Sequence, residues 1–122
     1  MKIKLLTLGL ICFFILSCGI PMKTKTYSYP GPAESLYDQM IPILLEMGFE
    51  IIQTDKPSLT IIAGKSKTMA YHKVTINFVN QEDKTSLLIQ VTLPGKTGPD
   101  NLGWCEKTAN EIAQKFEERI KK

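Results

Sequence analysis

The chain has 122 residues, of which 43% are hydrophobic, and this is enough apolar material for one folded domain with one core. Its 15 Lys and Arg residues nearly balance 12 Asp and Glu residues, giving a formal charge of +3. Because nucleic-acid-binding proteins usually present a clustered basic face, this composition argues against that class of protein.

The first 17 residues have the pattern of a secretory signal peptide. Lys2 and Lys4 supply positive charge, and the run from Leu5 to Leu16 is then almost wholly apolar. A membrane-spanning helix needs about 20 apolar residues, and this run is shorter and is soon followed by Pro21. A short uncleaved anchor or a buried helix is the alternative. We predict that residues 1–17 are a signal peptide that is removed.

The segment Ile15-Leu16-Ser17-Cys18 resembles the lipobox of bacterial lipoproteins, in which aliphatic residues precede a small residue and a cysteine. The resemblance implies that a diacylglyceryl group is attached to the Cys18 thiol, that the chain is cut before Cys18, and that the new amino group is acylated. Several acyl chains anchor a protein stably, whereas one chain binds only marginally. In lipoproteins of enteric bacteria, an Asp at the next position marks retention in the inner membrane. Gly19 stands there in this sequence. The resemblance therefore implies the outer membrane, facing the periplasm, rather than the inner membrane of the cell envelope.

The other two cysteines leave no partner for a disulfide. Cys12 lies in the signal peptide and is lost with it, so Cys105 is the remaining thiol once Cys18 carries lipid. Loss of the signal peptide also leaves 13 Lys and Arg against 12 Asp and Glu, which lowers the formal charge from +3 to +1. The mature domain is therefore nearly neutral and must be stabilised by packing alone.

Residues 18–30 are predicted to form a lipidated tether, because they combine prolines with scattered Lys and Thr and show no helical period. Within this segment, Thr26 to Tyr29 alternates polar and aromatic residues, which allows a short edge strand. Residues 31–122 are predicted to form a single domain without internal repeats.

The first predicted helix begins at Pro32, which suits the first helical position, with Glu34 in the first turn. Gly48 suits its C-terminal cap, and Pro42 predicts a kink inside it. Its apolar residues recur at helical spacing and form one stripe: Leu36, Met40, Ile43, Leu44 and Met47.

Four strands and a second helix follow. Short turns join the strands, which predicts an antiparallel meander because a parallel pair needs a long crossover. The predicted strands are Phe49 to Thr54, Leu59 to Gly64, Tyr71 to Asn80 and Thr85 to Leu93. The last helix runs from about Pro99 to Ile120, with its stripe at Leu102, Cys105, Ala109, Ile112, Phe116 and Ile120. The predicted fold is an α+β two-layer sandwich, with both helices on one face of a four-stranded antiparallel meander.

His72 is the only histidine, and its spacing of two from Val74 predicts that it faces the core near a strand end. A structural histidine is favoured, and a catalytic one is the alternative. No metal site and no cofactor are predicted, because zinc needs three or four ligands and the mature chain offers only His72 and Cys105 of the usual types. Cys105 lies on an apolar stripe, where a thiol is buried and unreactive. With no catalytic constellation, the protein is predicted not to be an enzyme.

The segment EMGFEIIQTDKPSLTIIAGKS, residues 46–66, is similar in outline to a pattern in small envelope lipoproteins. The pattern is a helix, a Gly-aromatic junction, a strand, a turn and a strand. The helix-and-sheet domains of outer-membrane assembly lipoproteins such as BamC have this outline. The resemblance concerns topology and assigns no role to any residue.

The predicted sheet has one face that the helices do not cover. Alternation turns Ile52, Ile62, Val79 and Leu88 toward that face. These four residues form a candidate interaction face for another envelope protein. The alternative is that scattered surface aliphatic residues have no function.

Two functions follow from these patterns. The favoured one is a lipid-anchored binding or structural module of the cell envelope, with the membrane contacted through the lipid on Cys18, an envelope protein as partner and no nucleic acid. The alternative is a small-ligand carrier or an enzyme with an unrecognised site near His72. An apolar cavity with convergent polar groups beside His72 would favour the alternative.

Overall fold

The computed structural model describes residues 20–67, 70–98 and 103–121, which form one antiparallel sheet with two helices packed on it. In chain order the elements are β1 (Met22–Pro30), α1 (Ala33–Glu46), β2 (Glu50–Asp55), β3 (Thr60–Lys67), β4 (Ala70–Gln81), β5 (Lys84–Thr92) and α2 (Trp104–Ile120). The strands lie in the order β1-β5-β4-β3-β2. The predicted α+β class is therefore confirmed.

The predicted signal peptide, residues 1–17, and the predicted lipidation site, Cys18, lie outside the described residues. Neither helix within the described ranges combines the length and the apolar character needed to cross a membrane.

The sheet has five strands, so the predicted four-stranded meander was one strand short. The additional strand is β1, which lies within the segment assigned to the tether. It pairs with β5 along its whole length, from Met22 opposite Thr92 to Pro30 opposite Lys84. Its less exposed side chains alternate with exposed ones, but they are mostly lysines and tyrosines. The apolar alternation that marks a strand was therefore too weak, and only the stretch from Thr26 to Tyr29 was recognised.

The remaining strands lie close to their predicted bounds, each end within three residues. On β4, Val74, Ile76 and Phe78 are buried, as the alternation predicted. Among the described strand pairs, the register shifts in β2, between Ile51 and Gln53, so that Gln53 lies opposite Ile62. This β-bulge re-aims the strand end without changing the sheet order.

Both ends of α1 are closed by hydrogen bonds. At its start, the backbone N–H of Ala33 donates to Oδ1 of Asn80 at 3.1 Å, so a side chain from β4 takes the place of a local cap. At its end, Gly48 adopts the left-handed conformation, with φ of 89°, and the N–H of Phe49 donates to the carbonyl of Leu44 at 2.9 Å. This is a Schellman motif, and it confirms Gly48 as the C-terminal cap.

Helix α2 begins at Trp104, later than the predicted start near Pro99. Gly103 precedes it in the left-handed conformation, with φ of 70° and ψ of 18°, so the helix does not continue backward through Gly103. Pro99 and Leu102 lie outside the described residues. The rest of the predicted stripe faces the core, and its fully buried members are Cys105, Ala109, Ile112 and Phe116.

An aromatic cluster ties the helices to the sheet. The ring of Phe116 on α2 lies 5.2 Å from that of Tyr29 on β1, in an edge-to-face arrangement, and 5.8 Å from that of Phe78 on β4. Tyr37 on α1 approaches Phe78 edge-to-face at 6.4 Å. Edge-to-face pairs add about 0.5–1.5 kcal/mol to the burial of the rings. One cluster therefore joins both layers of the domain.

Tyr29 gives the cluster a dependence on pH. Burial raises the pKa of its hydroxyl, and the charge of Glu117, to which the hydroxyl donates at 3.3 Å, raises that pKa further. A folded-state pKa above the ordinary value of 10.0 stabilises the fold below about pH 10, and this stabilisation is lost as the pH rises toward the folded-state pKa.

We expect the thermal midpoint to fall as the pH is raised above about pH 9, and to fall less steeply in Tyr29→Phe, which cannot ionise there. Thermal unfolding followed by circular dichroism over this range measures both. The control is Tyr71→Phe, which removes a hydroxyl from an exposed tyrosine of β4. An alkaline slope that is the same in Tyr29→Phe and in the wild type would show that other groups cause it.

Candidate functional site

A cavity of about 290 Å³ lies beside His72, between the β3–β4 end of the sheet and the first turns of α2. It is formed where β3 ends, where β4 begins and where α2 starts. Its lining residues are Lys67, Ala70, His72, Trp104, Lys107, Thr108 and Glu111. Its lining combines apolar side chains with polar and charged ones.

The polar side is a connected row of side chains. Lys67 Nζ donates to Oγ1 of Thr108 at 3.0 Å, and the same Oγ1 lies 3.0 Å from Nδ1 of His72. A hydroxyl has one donor and two lone pairs, so it can accept from the ammonium and still form a hydrogen bond with either tautomer of the imidazole. Lys67 also lies 3.6 Å from the carboxylate of Glu111. The imidazole, which is 3% exposed, is thereby fixed in orientation.

The apolar side is formed by Ala70 and Trp104. Ala70 is the first residue of β4, and Trp104 is the first residue of α2. Both are partly buried against the core. An indole in a cavity lining can stack its ring on a planar apolar group, and a small residue such as Ala70 takes little of the space.

The structure places His72 and Cys105, the two residues considered for chemistry in the sequence, in different surroundings. His72 faces the core at a strand end, as predicted, and the cavity beside it brings together apolar and polar groups. Cys105 is fully buried on α2, as predicted, and does not line the cavity. Within the described residues, no group of three His, Cys, Asp or Glu side chains is placed to hold a metal ion.

The four residues of the predicted interaction face have different exposure. Ile52 and Val79 are exposed by 52% and 42%, whereas Ile62 and Leu88 are half-buried. Ile62, Val79 and Leu88 alternate with the buried residues of their strands, so they lie on the sheet face opposite the helices. Their neighbours in register, Thr75, Asn77 and Ser86, are polar. The described residues of this face therefore mix apolar and polar side chains.

Sequence reasoning named only His72 among the lining residues and missed the other six as site residues: Lys67, Ala70, Trp104, Lys107, Thr108 and Glu111. Thr108 carried a usable signal, because it interrupts the apolar face of α2 between Cys105 and Ile112. A polar residue at a buried helical position needs a hydrogen-bonding partner. The identity of that partner depends on how α2 crosses the sheet, which a helical period does not determine.

A second cavity of about 490 Å³ lies between the C-terminal ends of the two helices, lined by Ile43, Glu46, Met47, Lys115, Glu118 and Arg119. It is larger, but its lining includes both partners of the Arg119–Glu46 ion pair of 3.2 Å, whose side chains are 41% and 71% exposed. Exposed, flexible side chains of both signs do not define a binding geometry. The cavity beside His72 has a fixed polar row and is the better candidate site.

No protein-family model and no curated protein matches the chain. Solved structures do match it. The crystal structure of Ara h 8.0201 has a TM-score of 0.61 at 10% identity, covering 84% of this chain and 98% of that one. TTHA0849 from Thermus thermophilus has a TM-score of 0.52 at 14% identity, covering 82% and 97%. The Zhui aromatase/cyclase from Streptomyces sp. R1128 has a TM-score of 0.50 at 12% identity, covering 82% and 86%.

Likeness at such low identity concerns the fold alone. The shared architecture is helix-grip-like, an antiparallel sheet packed against a C-terminal helix. In the present chain that helix is α2, and the candidate cavity lies between its first turns and the sheet.

Proposed function

We propose that the domain binds a small molecule in the cavity beside His72, and that a lipid on Cys18 anchors the domain to the membrane of a bacterial cell envelope. The observation that carries the first part is the convergence of an apolar wall and a fixed polar row in one cavity. Ligand pockets are typically about 300–1,000 Å³, so this one suits a small ligand. One structural neighbour is an aromatase/cyclase, which supports a small-molecule role for the fold.

The charges of the lining favour a ligand with an anionic group. Lys67 and Lys107 are both in the lining, against the single carboxylate of Glu111. Lys67 is already within 3.6 Å of Glu111, so Lys107 is the cation that a ligand can engage without breaking an ion pair between described residues. The lining therefore favours a ligand that has a planar apolar part, which can stack on Trp104, and an anionic group, which can pair with Lys107.

Binding is the proposed role, and turnover is not. Nδ1 of His72 is engaged with Thr108, and Thr108 is held in turn by Lys67. The Thr108 hydroxyl is the candidate nucleophile beside the imidazole in this row, but it is 1% exposed and accepts a hydrogen bond from Lys67. It therefore suits a fixed binding wall better than attack on a ligand. The cavity therefore favours the small-ligand carrier over the enzyme among the alternatives first considered.

The test uses 8-anilinonaphthalene-1-sulfonate, which has aromatic rings and one anionic group. Trp104 is the only tryptophan of the chain and lies in the cavity, so bound probe is expected to quench its fluorescence by energy transfer. Ala70→Phe fills the cavity and is expected to weaken probe binding by about tenfold or more, and Lys107→Met by several-fold. Fluorescence titration of the folded protein measures both.

The matched control is Ser66→Phe, which adds the same ring to an exposed position of the same hairpin, outside the cavity lining. It should bind the probe as the wild type does. Probe binding that survives in Ala70→Phe, while near-ultraviolet circular dichroism shows a native fold in all variants, would place the binding site elsewhere.

The interaction module is the second candidate function, and the exposure of Ile52 and Val79 on the open sheet face is what favours it. Ile62→Glu together with Leu88→Lys adds charge to that face without touching the cavity lining. If the domain binds only a small molecule, this double variant keeps both probe binding and any co-purifying protein. Loss of a specific co-purifying protein, with probe binding intact, would support the interaction module.

A further inference from the structure

We infer that one end of the domain, here called the His72 end, lies against an anionic lipid bilayer. The His72 end comprises Pro21, the last residues of β3, the first residues of β4, the turn after β5 and the first turn of α2. The inference rests on the proposed lipid anchor at Cys18, and it adds the orientation in which the anchor holds the domain.

The path of the chain brings the anchor to this end. The backbone N–H of Leu93, just after β5, donates to the carbonyl of Pro21 at 3.1 Å. Met22 lies opposite Thr92, and Thr92 lies opposite Lys73, the residue next to His72. The chain therefore enters the sheet at the same end as the cavity.

The length available between lipid and sheet is short. Cys18 precedes Pro21 by three residues, which span at most about 10 Å when fully extended. The strands are much longer, since the 12 residues of β4 extend over about 40 Å. The β4–β5 turn at Glu82 is therefore at the far end, and a lipid on Cys18 holds the His72 end near the bilayer while that turn points away.

The charged side chains are also distributed unevenly between the two ends of the domain, with the positive excess at the His72 end. Among the described residues, the His72 end carries lysines 23, 25, 65, 67, 73, 96 and 107 against glutamates 50, 106 and 111. Two of these carboxylates are already paired, Glu106 with Lys25 at 3.0 Å and Glu111 with Lys67 at 3.6 Å. The far end carries Glu34, Asp38, Asp55, Glu82 and Asp83 against Lys56 and Lys84. The other charged residues that the structure describes lie near the C-terminal ends of the two helices and balance in sign: Glu46, Glu117 and Glu118 against Lys115, Arg119 and Lys121.

A domain with this polarity orients in the field of an anionic membrane. Lysines near the surface are attracted to acidic headgroups, and the attraction fades within about 8–10 Å at physiological salt. The short link from Cys18 allows the lysines nearest Pro21 to come within that range. When the strands stand upright on the bilayer, the carboxylates of the far end lie outside it. The anchor and the charges thus favour one orientation, which places Trp104 and Lys107 of the cavity beside the headgroups.

The experiment uses the full chain, lipidated in a bacterial host and reconstituted into vesicles of phosphatidylcholine with a minority of phosphatidylglycerol. Brominated lipids quench tryptophan at short range, so Trp104 is expected to be quenched. The comparison is Trp104→Phe combined with Val79→Trp, which moves the single tryptophan to an exposed position of β4 near the far end. Its quenching is expected to be several-fold weaker.

Charge variants test the cause of the orientation. Lys73→Glu with Lys96→Glu, both exposed at the His72 end, should reduce the quenching of Trp104. Raised salt, or vesicles of phosphatidylcholine alone, should reduce it similarly. Lys84→Glu, which is exposed at the far end, should leave the quenching unchanged.

Equal quenching of the two tryptophan positions would overturn the inference, and so would an orientation seen only in native membranes that contain other proteins. Mass spectrometry of the acylated Cys18 peptide tests the anchor separately. Probe binding in detergent tests the cavity separately. A chain that is lipidated and binds the probe, but shows no difference between the two tryptophan positions, refutes the orientation alone.

Discussion

Replacing Phe116 with alanine is expected to lower the free energy of unfolding by about 3–5 kcal/mol. The side chain is fully buried and is the largest of the fully buried set. Its ring touches Tyr29 of β1 and Phe78 of β4, so its removal opens a cavity where α2 meets two strands. Because the surrounding aromatic rings are rigid and cannot collapse into that space, the cost of the cavity adds to the lost transfer free energy of the ring. Urea denaturation at constant pH measures the difference.

The matched control is Leu45→Ala on α1, because Leu45 is 56% exposed and its truncation should cost less than about 0.5 kcal/mol. Domains of this size are stable by only about 5–15 kcal/mol, so Phe116→Ala can be largely unfolded. Phe116→Leu keeps most of the volume and should lose about 1–2 kcal/mol. A cost for Phe116→Leu no greater than that for Leu45→Ala would show that α2 is not packed on this cluster.

The sheet from β2 to β5 could be predicted because a period of two assigns each residue to a face. Val74, Ile76 and Phe78 alternate with Thr75 and Asn77, and the structure buries the first set. Local rules also predicted the end of α1, where only a glycine adopts the left-handed conformation of Gly48 at little cost. The faces of the strands and the end of α1 could be predicted because each is determined by residues that are close together in the sequence.

Strand β1 could not be predicted in the same way, because it is stabilised by residues that are distant in the sequence, on β5 and α2. The helix-facing residues of β1 include Lys25 and Tyr29. Their partners on α2, Glu106 and Glu117, lie 81 and 88 residues later in the chain. A strand whose inward side chains are long and polar at the tip looks like a solvated linker in the sequence. Pairing with β5 along all of its residues supplies the backbone hydrogen bonds that a tether would leave to water.

The candidate site likewise has one residue that could be predicted from its neighbours in sequence and others that could not. A strand period placed His72 toward the core, but Thr108 and Lys67 join it only through the docking of α2 on the sheet. Their separations along the chain are 36 and 41 residues for the two hydrogen bonds of Thr108. No local spacing rule relates such positions. A polar residue on the buried side of a helix was the one sequence signal that pointed to them.

Replacing Cys18 with serine is expected to abolish membrane anchoring, leaving an uncleaved precursor without lipid. The thiol is the nucleophile to which the diacylglyceryl group is attached in lipoproteins that this segment resembles, and a hydroxyl is a much weaker nucleophile at neutral pH. The expected effect is close to complete, because stable anchoring requires two or more acyl chains. Metabolic labelling with palmitate and fractionation of membranes measure it.

The control for this change is Cys105→Ala, which removes a different thiol that is fully buried in α2. It is expected to leave cleavage, labelling and fractionation as in the wild type, because the predicted lipidation site is the other cysteine, Cys18. If Cys18→Ser is still cleaved and still fractionates with membranes, the lipoprotein interpretation is wrong, and the orientation of the His72 end loses its anchor. The cavity beside His72 does not depend on the lipid, so probe binding should be the same in both variants.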